Sequence, residues 1–300
     1  MKSFKGETAL LTATLIWGAT FTIIKSALHD ASPLIFISLR FSFAALILLP
    51  FLFKELKNIS KPVLLGGVLL GLLYFLGFST QTIGLNYTTA TKSGFITGSF
   101  VLFTPIFQII LEKRSPGLGS VIGIILVLTG LLFLFSSGTS ILSVFSEIGE
   151  NFNIGDFFTL LCAFFFSLYL IYLDIISKKY DYKPLVFLQV SVTGICGILF
   201  AVLLSFAGLE KPHFELTGNL IFAIGYTSIL ATVLTTTLQT KYQKLTTPTK
   251  AGIIFSLEPI FAAVVAFFVL SEKISNFGFI GGALIFSGLL VSELIDKKNE

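Results

Sequence analysis

A chain of 300 residues that is 54% hydrophobic and only 12% charged, with a mean hydropathy of +0.94, cannot present a water-facing surface of ordinary composition. The length alone would allow two soluble domains, but these totals exclude them and point to an integral membrane protein. The net charge of +4 comes with no basic stripe for nucleic acid, and excess Lys and Arg in a membrane protein mark cytoplasmic loops.

The chain opens with a charged start and an apolar middle, as a secretion signal does. The apolar run continues to Leu28 with no small-residue cleavage site before a polar start, so it reads as a retained first helix. In chain order, apolar segments long enough to cross a bilayer cover residues 7–28, 33–53, 63–85, 91–111, 118–136, 154–176, 184–207, 217–241, 249–270 and 277–295. None shows the alternation of a barrel strand, and open sheet edges cannot face lipid, so the expected fold is all-α with ten transmembrane helices. Cys162 and Cys196 both fall inside spans and read as small buried hydrophobes.

The joint between the third and fourth spans recurs. Gln81–Ile96, QTIGLNYTTATKSGFI, returns 158 residues later as Gln239–Ile254, QTKYQKLTTPTKAGII, with eight of sixteen positions identical. Five helices per copy is an odd number, so the second copy must enter the membrane inverted, an architecture that belongs to transporters. With the amino terminus placed in the cytoplasm, fifteen of the twenty Lys and Arg collect on the cytoplasmic side, and both termini are expected there. The expected organisation is a first five-helix unit over 1–136, an extracytoplasmic connector over 137–153, and a second unit with a cytoplasmic tail over 154–300. Gly119, Gly123 and Gly130 in the fifth span reappear as Gly278, Gly282 and Gly288 in the tenth. Such faces permit close helix contact, either between the two units or in a dimer.

Glu258 is the sharpest candidate site residue. It sits near mid-bilayer, where an isolated carboxylate costs a few kcal/mol or more. Pro259 beside it removes a backbone donor, and Pro105 is expected to break the fourth span in the corresponding region. Glu258 would carry a coupling proton, bind a cationic part of a substrate, or be locked structurally by Arg40 or by interhelical hydrogen bonds. Arg40 would pair with Glu258, with backbone carbonyls, or with an anionic substrate group. Lys25 and Lys92 would snorkel to the interface or together form a positive outer vestibule. Gln81 and Gln239, related by the repeat, would bind substrate or join helices. Trp17, Tyr74, Tyr169 and Tyr226 lie at mid-span depth and would line a cavity or pack between helices. No HExxH, CxxC, phosphate-binding loop or GxSxG is present, and His29 and His213 fall in outer loops. Catalytic residues, metal and cofactors are therefore not expected, nor is enzymatic activity.

One resemblance covers nearly the whole chain. Trp17-Gly18-Ala19-Thr20-Phe21 with Lys25, Pro33 and Arg40, the repeated Thr-x-x-Thr-Lys joint, Pro105, and Ile254–Ala263 (IFSLEPIFAA) resemble the EamA family of the drug/metabolite transporter superfamily. In the second unit Phe166-Ser167 stands where Trp17-Gly18 stands and Asp174 near the place of Lys25, so roles do not transfer between the halves. The resemblance implies a ten-helix secondary transporter of small organic metabolites or drugs working by alternating access. The expectation is an exporter in a bacterial-type inner membrane, monomeric or weakly dimeric, with the lipid bilayer and a small-molecule substrate as partners. The contrasting reading is a non-transporting membrane sensor or an intramembrane enzyme.

Overall fold

The computed structural model of the protein describes residues 2–56, 59–135, 152–270 and 276–298. Most of the connector expected over 137–153 lies outside the described residues, as does Lys273. Among the described residues the secondary structure is helical apart from one isolated β-bridge, Ala31 to Phe214. Eight helices are long and apolar enough to span a membrane, and the shorter Leu118–Phe133 and Asn276–Ser292 supply the fifth and tenth spans. Large apolar side chains such as Leu46, Phe51, Leu199, Phe206, Ile221 and Phe268 are exposed, as a protein solvated by lipid requires.

The repeated joint is a pair of helix caps. Thr89 Oγ1 accepts the Lys92 N–H at 3.1 Å and opens the fourth span, and Thr247 Oγ1 accepts the Lys250 N–H at 3.2 Å and opens the ninth. Each of these spans is then broken. The ninth divides into Pro248–Phe255 and Glu258–Leu270, with Glu258 the first residue of the second half. The fourth divides at Ser99, between Ala90–Gly98 and Phe100–Phe107, and ends in a π-helical stretch, Gln108–Glu112. This corrects the break expected at Pro105, which lies inside the helix Phe100–Phe107. At Ser99 the side-chain hydroxyl takes the Ile96 carbonyl at 2.6 Å and turns the chain early. Ser99 and Leu257 occupy equivalent positions of the two joints, so the breaks match although the prolines do not.

Packing follows the repeat. The fifth span packs on the tenth, the second on the seventh, and the third on the sixth as the first does on the eighth. The small-residue faces join the two units to each other: a Cβ on Gly123 would meet the Gly288 carbonyl at 2.7 Å, and one on Gly130 the Gly281 carbonyl at 2.6 Å. Gly282, expected in this contact, has open space beside it. The first span is interrupted at Ala19, between Lys2–Gly18 and Thr20–Ala27, where it crosses the second half of the ninth. A Cβ on Gly18 would stand 2.4 Å from Phe261 Cβ and 3.1 Å from the Ala262 nitrogen. Gly18→Val is therefore expected to lower stability by about 1–3 kcal/mol through overpacking. Thermal unfolding of the detergent-purified protein checks this, and an unchanged midpoint would contradict the contact.

The loops after the first and seventh spans are tied together. Asp30 Oδ2 accepts Asn219 Nδ2 at 2.7 Å and Thr217 Oγ1 at 2.9 Å, while the Ser32 N–H donates to the His213 carbonyl at 2.9 Å. The bonds from Asn219 and then Thr217 hold the Asp30 carboxyl below its usual range. A carboxylate shifted this way contributes above its unfolded pKa, roughly 3.9, and loses that contribution as pH falls through the lower folded value. The tie should therefore stay closed from neutral pH to about pH 5 and loosen only in stronger acid. Spin-label distances between positions 31 and 214 should hold constant over the upper range, whereas Asp30→Ala should broaden them at every pH.

Candidate functional site

The broken first and ninth spans, with the third, fourth, sixth and eighth, surround a narrow central cavity of about 50 Å³. Six of the residues singled out in the sequence line it: Trp17, Tyr74, Gln81, Tyr169, Gln239 and Glu258. Thr20, Thr97, Phe100, Phe166 and Phe255 complete much of the wall. The space is smaller than the pockets that hold drug-sized ligands.

The aromatic residues show the cavity their rings and keep their polar ends elsewhere. Tyr74 O–H pairs with Thr236 Oγ1 at 2.8 Å, Tyr169 O–H donates to Gln189 Oε1 at 2.8 Å, and Gln189 Nε2 donates to Thr240 Oγ1 at 2.9 Å. Threonines of the eighth span therefore fix both tyrosines, whose ring centroids lie 4.8 Å apart. The Trp17 indole N–H donates to the Ala231 carbonyl at 3.1 Å, and its ring meets Phe255 edge-on at 5.3 Å. Ala231 belongs to a π-helical stretch, Ile229–Leu234, and its carbonyl accepts Arg40 as well.

Arg40 is fully buried but does not line the cavity. Its Nε donates to Thr232 Oγ1 at 2.9 Å and its Nη2 to the Ala231 carbonyl at 3.0 Å, while the guanidinium lies 4.5 Å from the Phe78 ring centroid. Of the partners open to it, Arg40 takes backbone and hydroxyl oxygens of the eighth span and forms no ion pair with Glu258. The Glu258 carboxyl has no hydrogen-bond or ion-pair partner among the described residues, and it faces the cavity.

The remaining candidates lie apart. Lys25 Nζ donates to the Leu85 carbonyl at 2.7 Å, at the carboxyl end of the third span. Lys92 Nζ pairs with Asp156 Oδ2 at 2.5 Å. Each lysine is thus held by a neighbouring chain segment. Tyr226 donates to the Ile16 carbonyl at 3.0 Å and stays outside the cavity wall. Pro259 sits at the break, its Cγ 3.3 Å from where a Cβ on Gly98 would be.

Asp156 was not singled out in the sequence. It is fully buried, accepts Thr88 Oγ1 at 2.8 Å and the Asn153 N–H at 2.8 Å, and with Asn153 forms a capping box at the start of the sixth span. Gln189 and Gln243 were missed as well. Gln189 offered the signal of an amide inside an apolar run, whereas Gln243 stands between Tyr242 and Lys244 at the end of the eighth span and offered none. Among the described residues no group of three or more His, Cys, Asp or Glu is placed to hold a metal ion.

Ten apolar helices among the described residues, with broken helices meeting at a largely aromatic cavity that holds Glu258, define a membrane transporter. Residues 4–136 and 153–294 each match the EamA-like transporter family, and the chain belongs to that family. An uncharacterized transporter of Archaeoglobus fulgidus is 33% identical over 98% of this chain and 87% of its own length. YoaV, an uncharacterized transporter of Bacillus subtilis, is 23% identical over 94% of each chain. The S-adenosylmethionine uptake transporter of Rickettsia felis is 27% identical over 86% of this chain and 82% of its own. A solved crystal structure sharing 17% identity superposes with a TM-score of 0.77 over 98% of both chains, which shows the same fold.

Proposed function

We propose that the protein is a secondary transporter that exports small organic metabolites or drugs by alternating access, with Glu258 as the proton-coupling group. The observation that carries this reading is the carboxyl of Glu258 at the cavity, which has no hydrogen-bond or ion-pair partner among the described residues. A carboxylate so placed is costly in its bare charged form, so a proton or a cationic ligand must neutralise it during the cycle. The titratable groups around it are Arg40 from the second span, Tyr74 from the third, and Cys162 and Tyr169 from the sixth. Arg40 already has other partners. A cavity between helices of both units supports a cycle in which the two units separate first on one side and then on the other.

In this reading the units are 1–136 and 154–300, joined by an extracytoplasmic connector over 137–153. Both termini face the cytoplasm, the membrane is a bacterial-type inner membrane, and the working form is a monomer or weak homodimer. Uptake is the second reading of direction, favoured by the activity named for the Rickettsia felis relative. Proteoliposomes with an imposed pH gradient, screened with a metabolite mixture, test the proposal. Solute should move against its own gradient when protons flow the other way. Failure to move any solute under any gradient would contradict transport.

A further inference from the structure

Most polar hydrogens of the side chains that line the central cavity are committed to protein acceptors. Trp17 Nε1 is bonded to Ala231, the Tyr169 hydroxyl to Gln189, and the Thr20 hydroxyl to the Trp17 carbonyl at 2.7 Å. Tyr74 is paired with Thr236, and the Gln81 amide nitrogen reaches Thr97 at 3.4 Å. Among the described residues, three acceptors of side chains that line the cavity have no hydrogen-bond partner: the Glu258 carboxyl, Gln81 Oε1 and the buried Gln239 Oε1.

The orientation of Gln239 follows from its neighbours. Gln243 must donate its Nε2 to the Leu170 carbonyl, at 2.8 Å, since a carbonyl only accepts. Gln243 Oε1 therefore accepts Gln239 Nε2 at 3.1 Å, which leaves Gln239 Oε1 as the free end of a side chain that is 2% exposed. A buried amide oxygen without a donor costs about 1–3 kcal/mol unless something fills the place.

We propose that the occupant of this cavity is a protonated organic amine on an aromatic or apolar body, its charge set on Glu258 and one N–H donated to Gln239 Oε1. The surrounding rings suit such a cation, because Trp17, Tyr74, Tyr169 and Phe255 offer faces and edges rather than polar ends. An anion would find no free donor beyond the Gln81 amide and would meet the Glu258 carboxyl. Arg40 lies within electrostatic reach of Glu258 but does not line the cavity, its Nε and Nη2 being bonded to Thr232 and Ala231 with Phe78 over the guanidinium. This assignment rests on the reading of the central cavity as the substrate site.

The test uses Trp17, the only tryptophan in the chain, as a reporter within the cavity wall. The full-length protein in detergent is titrated with phenethylamine, 2-phenylethanol, 3-phenylpropionate and benzyltrimethylammonium while tryptophan fluorescence is followed. Phenethylamine should bind about tenfold or more tighter than the neutral alcohol, as a charge-assisted hydrogen bond implies. Benzyltrimethylammonium, with no N–H to donate, should bind more weakly than phenethylamine, and 3-phenylpropionate should leave the signal unchanged. Gln239→Leu should bring phenethylamine to the affinity of benzyltrimethylammonium without affecting the latter. Glu258→Gln should remove both, and Glu258→Asp keeps the test valid if the glutamine variant does not fold. Equal or tighter binding of the alcohol or the carboxylate would overturn the amine assignment while leaving the cavity as the ligand site. No response to any probe would overturn both the amine assignment and the cavity reading beneath it.

Discussion

Replacing Glu258 by glutamine is expected to reduce pH-gradient-driven transport by about ten- to hundredfold, the worth of a charge-assisted hydrogen bond. The substitution keeps shape and volume but cannot take up or release a proton. Glu258 opens the second half of the ninth span and lines the cavity, with no hydrogen-bond or ion-pair partner among the described residues. In the variant, whatever movement persists should follow the substrate's own gradient and lose its dependence on the proton gradient. Full coupling in Glu258→Gln would remove the proton role. The comparison must be made at matched amounts of folded protein, since a carboxyl at a helix start also interacts favourably with the local dipole.

Replacing Lys92 by methionine is expected to cost about 3–5 kcal/mol of stability, the typical result of removing one partner of a buried ion pair. Asp156 is fully buried and Lys92 nearly so, and the pair ties the joint between the third and fourth spans to the start of the sixth. Protonation of the abandoned carboxyl would bring the loss toward the lower end of that range. Adding Asp156→Asn should recover part of it, because no buried charge is then left unpaired, although the one amide oxygen replaces only one of the two acceptors that serve Thr88 and the Asn153 N–H. Thermal unfolding in detergent measures both variants. A single variant within about 0.5 kcal/mol of the parent would mean that the pair behaves like an exposed one.

The spans were legible because a bilayer imposes a length on apolar runs, and all ten fall within a few residues of their expected bounds. The joint was legible as a repeat, and its chemistry is that of a cap, with Thr89 and Thr247 holding equivalent N–H groups. The helix breaks were only partly legible. Pro259 marks the ninth, but the fourth turns at Ser99, a residue that helices usually accept, so Pro105 drew the expectation to the wrong turn. The π stretch Ile229–Leu234 contains no glycine or proline to announce it, yet its Ala231 carbonyl accepts both Trp17 and Arg40. Which face of a nearly all-apolar helix points inward is not encoded in local periodicity, so Tyr226 could not be distinguished from Tyr74 and Tyr169. Asp156 was missed because its partners Thr88 and Lys92 belong to a distant segment, and burial alone sets it apart from an ordinary interfacial acid.

The central claim is that the cavity around Glu258 opens in turn to each side of the membrane. Sided cysteine labelling tests it most directly. The protein has only Cys162 and Cys196 to replace by serine, after which Thr20→Cys places one thiol in the cavity wall. A membrane-impermeant thiol reagent is then applied to vesicles of each orientation. Position 20 should be modified from both sides, and phenethylamine should protect it from both. Modification from one side only, in a protein that still transports, would contradict alternating access through this cavity.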